Sequence, residues 1–120
     1  MFVKANPNPC NQRVGDCVIR ALCIANGDTW EETYRDLTRK GFIMCDMPSS
    51  NNVWGAYLED LGWKRKMIPN NNYTIKDFCR DHRNGTYILA TGSHVVAVID
   101  GDYFDTWDSG QEVPIFYFWR

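Results

Sequence analysis

Four segments near the end of the chain are rich in β-branched and aromatic residues, and turns that contain glycine separate them. Such side chains pack well on a pleated surface, so these segments predict β-strands at 86–91, 95–99, 103–107 and 113–119. Earlier in the chain, apolar residues recur at helical spacing instead. Helices that precede an antiparallel sheet indicate an α+β fold, and 120 residues fit a single domain spanning 1–120.

Capping residues predict where the helices begin and end. Asp16 is a favoured N-cap for a helix that begins at Cys17, and Thr74 caps a shorter helix later in the chain. Thr29 is followed three residues later by a glutamate, which predicts a capping box, and Gly41 predicts the end of that second helix. The N-terminal helices are therefore expected to pack on the C-terminal antiparallel sheet.

The other segments are shorter. Residues 1–15 are rich in Asn, Pro and Gly and are not expected to form regular structure. Residues 44–52 are predicted to be a loop, and the apolar spacing in 53–61 predicts a third helix. Residues 63–68 favour a short strand, which gives the chain its only predicted strand outside the C-terminal sheet.

Composition excludes several classes of partner. The net charge is −2 and the only basic cluster is 64–66, so nucleic acid is not an expected partner. The longest apolar stretch is interrupted by polar residues and is too short to span a bilayer, so no membrane partner is expected. Neither histidine has a metal-type partner nearby in sequence, which argues against a metal site.

The cysteines indicate a reducing compartment. There are five of them, an odd number at irregular spacing, and no pair has the Cys-x-x-Cys pattern. The polar start of the chain does not have the form of a secretory signal. We therefore expect a monomeric, cytoplasmic protein with reduced thiols.

Cys17 is the cysteine best placed for chemistry. A thiol is a good nucleophile only as thiolate, and a helix N-terminus stabilises that anion through its partial positive charge and free N–H groups. The alternative is that Cys17 is a small buried core residue, as free cysteines often are. Cys23 and Cys79 lie inside helical patterns, whereas Cys10 and Cys45 lie in predicted loops.

A predicted hairpin near the end of the chain fixes which residues can meet. Asp100-Gly101 is a favoured pair for a two-residue turn in which both residues have positive φ. That turn pairs Val98 with Tyr103 and, if the ladder continues, Val96 with Asp105. Because strand side chains alternate, the register decides which residues share a face.

His94 and Asp105 then become diagonal neighbours on one face, together with Val96 and Trp107. A carboxylate among aromatic residues needs a partner when it is buried, and the His94 imidazole on the same face can supply one. A bulge in the ladder would bring Asp108 to that face instead. The choice of Asp105 as the partner of His94 therefore depends on an uninterrupted ladder. The alternative is that the Asp105 carboxylate faces solvent.

These residues resemble a known family. Three features are similar to the motifs of papain-like cysteine peptidases. They are the pair Asp16-Cys17 at a helix start, His94 at a strand start, and the tripeptide Asp105-Thr106-Trp107 one strand later. The closest resemblance is to the small bacterial C39-like branch, found in bacteriocin processing, and a bacterial or phage source fits it. The likeness in layout covers roughly residues 11–108.

The resemblance implies a role for each residue. Cys17 would be the nucleophile, His94 the general base and acid, Asp105 the orienting carboxylate, and Trp107 a shield over the His94–Asp105 hydrogen bond. The family usually has a glutamine six residues before the cysteine, which helps to bind the oxyanion. That position is Asn11 here, and the neighbouring Gln12 is our choice for its longer reach, with Asn11 as the alternative.

The expected activity is hydrolysis of a peptide or amide bond through a thioester, with no metal or organic cofactor. Other acyl-transfer enzymes on related folds remain open: a cell-wall amidase, an isopeptidase or a transglutaminase. A catalytically inactive papain-like binding module is a further alternative. Absence of the oxyanion donor would weaken catalysis by about 2–4 kcal/mol and would favour that last interpretation.

Overall fold

The predicted α+β class is confirmed in the computed structural model, which describes all 120 residues. Four helices accompany one six-stranded sheet. The elements in chain order are β1 (Phe2–Lys4), α1 (Cys17–Asn26), α2 (Trp30–Met44), α3 (Asn51–Asp60), β2 (Lys64–Met67), α4 (Ile75–Asp81), β3 (Thr86–Ala90), β4 (Val95–Ile99), β5 (Asp102–Asp105) and β6 (Phe116–Trp119).

The sheet is mixed rather than wholly antiparallel. Its strand order is β1-β5-β4-β3-β6-β2, and β1 runs parallel to β5 while the other neighbours are antiparallel. The prediction that residues 1–15 contain no regular structure is therefore wrong for β1. Three residues are too few to show a period, and β1 is held by its partner: Phe2 packs on Tyr103, and the Met1 ammonium donates to the Gly101 carbonyl at 2.9 Å.

Helices cover both faces of the sheet. On β3, Ile88 and Ala90 belong to the core cluster under α1 to α3, whereas Leu89 belongs to the cluster under α4. The same alternation on β4 places Ala97 under the first helices and Val98 under α4. Because both faces are buried, β4 is apolar throughout and β3 is apolar from Ile88 to Ala90. Helices α1, α2 and α3 thus form one layer, on the face of the sheet where α1 packs against β4.

The capping box predicted at Thr29 is present, and Thr74, predicted only as an N-cap, also forms one. The Thr29 and Thr74 side chains each accept a hydrogen bond from a backbone N–H in the first turn of the helix that follows. Gly41 does not end α2, however, which continues to Met44. Gly41 is buried inside the helix because the chain folds back onto it: a Cβ there would lie 2.7 Å from the Asp46 carbonyl oxygen. Position 41 is a glycine because two backbones approach each other closely there, and not because the helix ends.

The two buried helical glycines allow a matched test. Gly41→Ala should lower the free energy of unfolding by about 1–3 kcal/mol, because the new methyl group meets backbone atoms that cannot move easily. Gly55 also lies inside a helix, but a Cβ there would be 3.4 Å from the Phe118 ring, an ordinary contact. Gly55→Ala should therefore be neutral or stabilising by up to about 1 kcal/mol. Urea unfolding of both variants measures the difference, and equal destabilisation would contradict this account of Gly41.

Candidate active site

Helix α1 begins at Cys17, so the thiol lies at the helix N-terminus, where the first backbone N–H groups have no intrahelical acceptor. Asp16 occupies the N-cap position, but its side chain does not cap the helix, contrary to the prediction. Its carboxylate is instead paired with Arg20 and accepts a hydrogen bond from the Trp30 indole N–H at 2.9 Å. The helix start therefore keeps its positive end open beside the thiol.

The β4–β5 hairpin has the predicted turn. Asp100 and Gly101 both have positive φ, at 51° and 82°, and Val98 pairs with Tyr103. The ladder stops with Ala97 opposite Phe104, so β5 ends at Asp105 instead of continuing to residue 107. The predicted pairs beyond that point do not form, because the chain turns around the Asp105 carboxylate.

His94 and Asp105 nevertheless meet at the open end of this hairpin. The distance between His94 Nε2 and Asp105 Oδ2 is 2.5 Å, and both side chains are buried. Asp105 also accepts hydrogen bonds from the Ser109 hydroxyl at 2.6 Å and from the Thr106 backbone N–H at 2.8 Å. Asp108 is directed elsewhere and accepts a hydrogen bond from the Tyr103 hydroxyl. The carboxylate at His94 is therefore that of Asp105.

The thiol and the imidazole alter each other's ionisation. Burial raises the pKa of the Cys17 thiol, but hydrogen bonds with His94 and with the Val95 backbone outweigh it and bring the pKa below its ordinary value. Burial opposes the charged form of His94, yet hydrogen bonds with Asp105 and Cys17 raise its pKa to about 9. Both shifts favour a thiolate beside an imidazolium at neutral pH.

Asp105 supplies the negative charge that makes this pair possible. Burial raises the pKa of its carboxyl group, but the hydrogen bonds from His94 and Ser109 hold that pKa below its ordinary value. Since His94 Nε2 is directed to Asp105, the other ring nitrogen, Nδ1, is left to interact with Cys17. This arrangement orients the imidazole and fixes which nitrogen can exchange a proton with the thiol.

A cavity of about 230 Å³ adjoins the thiol. It lies between the start of α1, the α2–α3 connection and the β3–β4 loop. Its lining residues are Gly15, Cys17, Val18, Ser49, Asn51, Thr91, Gly92, Ser93, His94 and Val95.

Gln12 and Asn11 are not among these lining residues, and both are exposed. Their segment is held by the Asn8 side chain, which accepts a hydrogen bond from the Gln12 backbone N–H, and by Asn6, which donates to the Asn11 side chain. The structure thus brings Cys17, His94 and Asp105 together but not the predicted oxyanion donor. The carboxamide that lines the cavity is Asn51.

Two buried residues beside the site were not predicted. Ser109 is fully buried and donates to Asp105, and Arg20 is 6% exposed with its guanidinium between Asp16 and Asp105. Arg20 has a signal in the sequence, because it is the only charged residue in α1. A lone arginine on an apolar helix needs a buried acidic partner or a route to solvent. No comparable signal identifies Ser109.

No protein-family model, curated protein or solved structure matches this chain. None of the four helices combines the length and apolar character that a bilayer crossing requires. No group of three or more His, Cys, Asp or Glu residues is placed to hold a metal ion. The chemistry that this site supports therefore rests on its own geometry.

Proposed function

We propose that this protein is a cysteine peptidase of the papain-like class, which cleaves a peptide or amide bond through a thioester. The observation that carries the proposal is the hydrogen bond between His94 Nε2 and Asp105, with the Cys17 thiol at a helix N-terminus beside the same ring. A nucleophile, a base and a group that orients the base are the parts that thiol catalysis requires.

The fold supports the same assignment. The nucleophile begins a helix that packs against the sheet, the base directly precedes β4, and its carboxylate ends the neighbouring antiparallel strand β5. Trp107 lies over the imidazole, with 5.2 Å between the ring centroids of Trp107 and His94. An indole there limits the access of water to the His94–Asp105 hydrogen bond, as the resemblance to the C39-like branch implies.

The reaction proceeds in two stages. The Cys17 thiolate attacks the carbonyl carbon, and the tetrahedral intermediate collapses as His94 donates its Nδ1 proton to the leaving amine. A thioester between Cys17 and the acyl part of the substrate remains. His94, now neutral, takes a proton from water, the hydroxide attacks the thioester, and the acid leaves as the thiolate is restored. Asp105 accepts the Nε2–H bond throughout.

The oxyanion formed in each stage needs hydrogen-bond donors. The Cys17 backbone N–H at the start of α1 is one, because it has no partner within the helix. Asn51 is the second donor in this proposal, in place of Gln12. Asn51 lines the cavity, and its Oδ1 atom accepts a hydrogen bond from the Trp54 indole at 3.0 Å, which leaves the Nδ2 group as the donor.

The first test is cleavage of a mixed peptide library, with products identified by mass spectrometry. Cys17→Ala should abolish cleavage, and His94→Ala should reduce it by at least about 100-fold, because both the proton acceptor and the thiolate partner are lost. Cys10→Ala and Cys45→Ala remove exposed cysteines outside the site and should leave the rate unchanged. Cleavage that survives Cys17→Ala in a folded protein would contradict the proposal.

The same variants distinguish the alternative activities. Peptidoglycan fragments and isopeptide-linked proteins replace the peptide library to test for an amidase or an isopeptidase. A primary amine added to the peptide assay tests for transglutaminase activity, because the amine would attack the thioester in place of water. A protein that acts on none of these substrates and forms no thioester would be a binding module.

The two oxyanion assignments make opposite predictions. Asn51→Ala should reduce kcat by about 100-fold with little change in KM, because the lost hydrogen bond is strongest in the transition state. Gln12→Ala should leave kcat unchanged, because Gln12 does not line the cavity. The reverse pattern in the peptide assay would restore Gln12 as the donor and would require residues 6–12 to move.

A further inference from the structure

A buried network of charges extends from the catalytic site into helix α1. Arg20 lies one turn after Cys17 and is only 6% exposed. Its Nη1 atom is paired with Asp16 Oδ1, and its Nη2 atom lies 3.6 Å from Asp105 Oδ1. One guanidinium therefore contacts two carboxylates, and both carboxylates are buried.

The two carboxylates belong to different parts of the site. Asp16 directly precedes the nucleophile, whereas Asp105 holds the base through its other oxygen. Asp16 is also tied to α2 by the Trp30 indole and to the N-terminal segment by the Asn8 side chain, which donates to it at 3.2 Å. The start of α1 and the end of the hairpin are thus joined through a single side chain.

Neutralising Asp16 alone would not require this geometry. Asp16 already accepts two neutral hydrogen bonds, and a lysine would supply one positive charge in less space. The planar guanidinium with separate donors is suited to contact two carboxylates at once, which an ammonium group cannot do in a fixed orientation. The second contact, to Asp105, is therefore the informative one.

We propose that Arg20 is a positioning residue that links Asp16 to Asp105 and so holds the Cys17 thiol and the His94 imidazole in one reactive geometry. The inference rests on the proposed function, because it concerns the same thiol and imidazole. Arg20 contacts neither the thiol nor the substrate cavity; it acts through the two carboxylates.

Few charged groups surround the Cys17 thiol and the His94 imidazole. Arg20 comes from α1, Asp16 from the residue before it, and Asp105 from the end of β5; the contribution from α2 is the neutral Trp30 indole. The positive charge of Arg20 lowers the pKa of the Cys17 thiol, although by less than the hydrogen bond with His94 does. Removing Arg20 should consequently raise that pKa.

The experiment follows iodoacetamide labelling of each cysteine against pH, by peptide mass spectrometry of the full-length protein. Arg20→Met should raise the pH midpoint of Cys17 labelling by about one unit, which lowers the labelling rate near pH 6 about tenfold. Arg20→Lys keeps the positive charge but has a single side-chain nitrogen. Its pH midpoint of Cys17 labelling should therefore lie between those of the wild type and Arg20→Met. Arg13→Met removes an exposed arginine near the same helix start and should change nothing.

The other cysteines act as internal controls in the same spectra. Cys79 is buried away from the site and reports unfolding, and the exposed Cys10 and Cys45 lie outside the site and serve for comparison. A wild-type Cys17 that labels like Cys10 and Cys45 would contradict the proposed function itself. A wild-type Cys17 that labels at low pH, with the same midpoint in Arg20→Met and Cys79 still protected, would overturn only the inference about Arg20.

If Arg20→Met exposes Cys79, Arg20→Lys decides the question. Slower Cys17 labelling than in the wild type, with Cys79 protected, supports the positioning role. An unchanged rate overturns it. Exposure of Cys79 in both variants also overturns it, because Arg20 would then serve the stability of the fold and not the geometry of the site.

Discussion

The arrangement of the site depends on the burial of the Asp105 carboxylate. Asp105 is 3% exposed, and an ionised carboxylate in that position is unfavourable unless donors surround it. Four groups meet this requirement: His94, the Ser109 hydroxyl, the Thr106 backbone N–H and, at longer range, Arg20. They come from three parts of the chain: the residue before β4, the turn after β5, and α1. Satisfying one carboxylate therefore brings the hairpin, the following turn and the first helix together.

The need of the buried Asp105 carboxylate for donors also explains why the His94 imidazole is polarised. His94 donates from Nε2 to a buried anion, so its protonated form is favoured and can stand beside a thiolate. The helix N-terminus supports that thiolate from the other side. The lowered pKa of the Cys17 thiol and the raised pKa of the His94 imidazole thus follow from where one carboxylate is buried and where one helix begins.

Much of the fold and of the site could be predicted from the sequence, because the sequence signals involve residues that are close together in the chain. The Asp100-Gly101 turn fixed the register of the hairpin near the turn, and Asp105 lies at His94 as predicted, although the ladder on which that prediction depended stops at Phe104. The prediction extended the ladder too far, because the chain turns after Asp105, where the Thr106 N–H and the Ser109 hydroxyl donate to the Asp105 carboxylate. Capping residues likewise marked the start of α2 and α4: the box at Thr29 involves residues only three positions apart, and Thr74 has the residue type of an N-cap.

The errors concern contacts between distant residues. Strand β1 forms because β5 is beside it, and Gly41 is needed because the α2–α3 connection returns to it. Asp16 has the residue type of an N-cap, but a buried arginine and an indole compete successfully for its carboxylate. Gln12 has the right residue type for an oxyanion donor, but its segment is held away from the cavity by Asn8. Sequence spacing alone contains none of this information.

The central claim is that the Cys17 thiol and the His94 imidazole ionise as a pair, and NMR titration of the histidine rings tests it most directly. In the wild type the imidazolium of His94 should persist until the pH rises through about 9, because its pKa is raised. In Cys17→Ala that pKa should be lower, since the thiolate no longer stabilises the cation, whereas His82, which stacks on Phe78, should be unaffected by the substitution. A His94 pKa that is the same with and without the thiol would contradict the account.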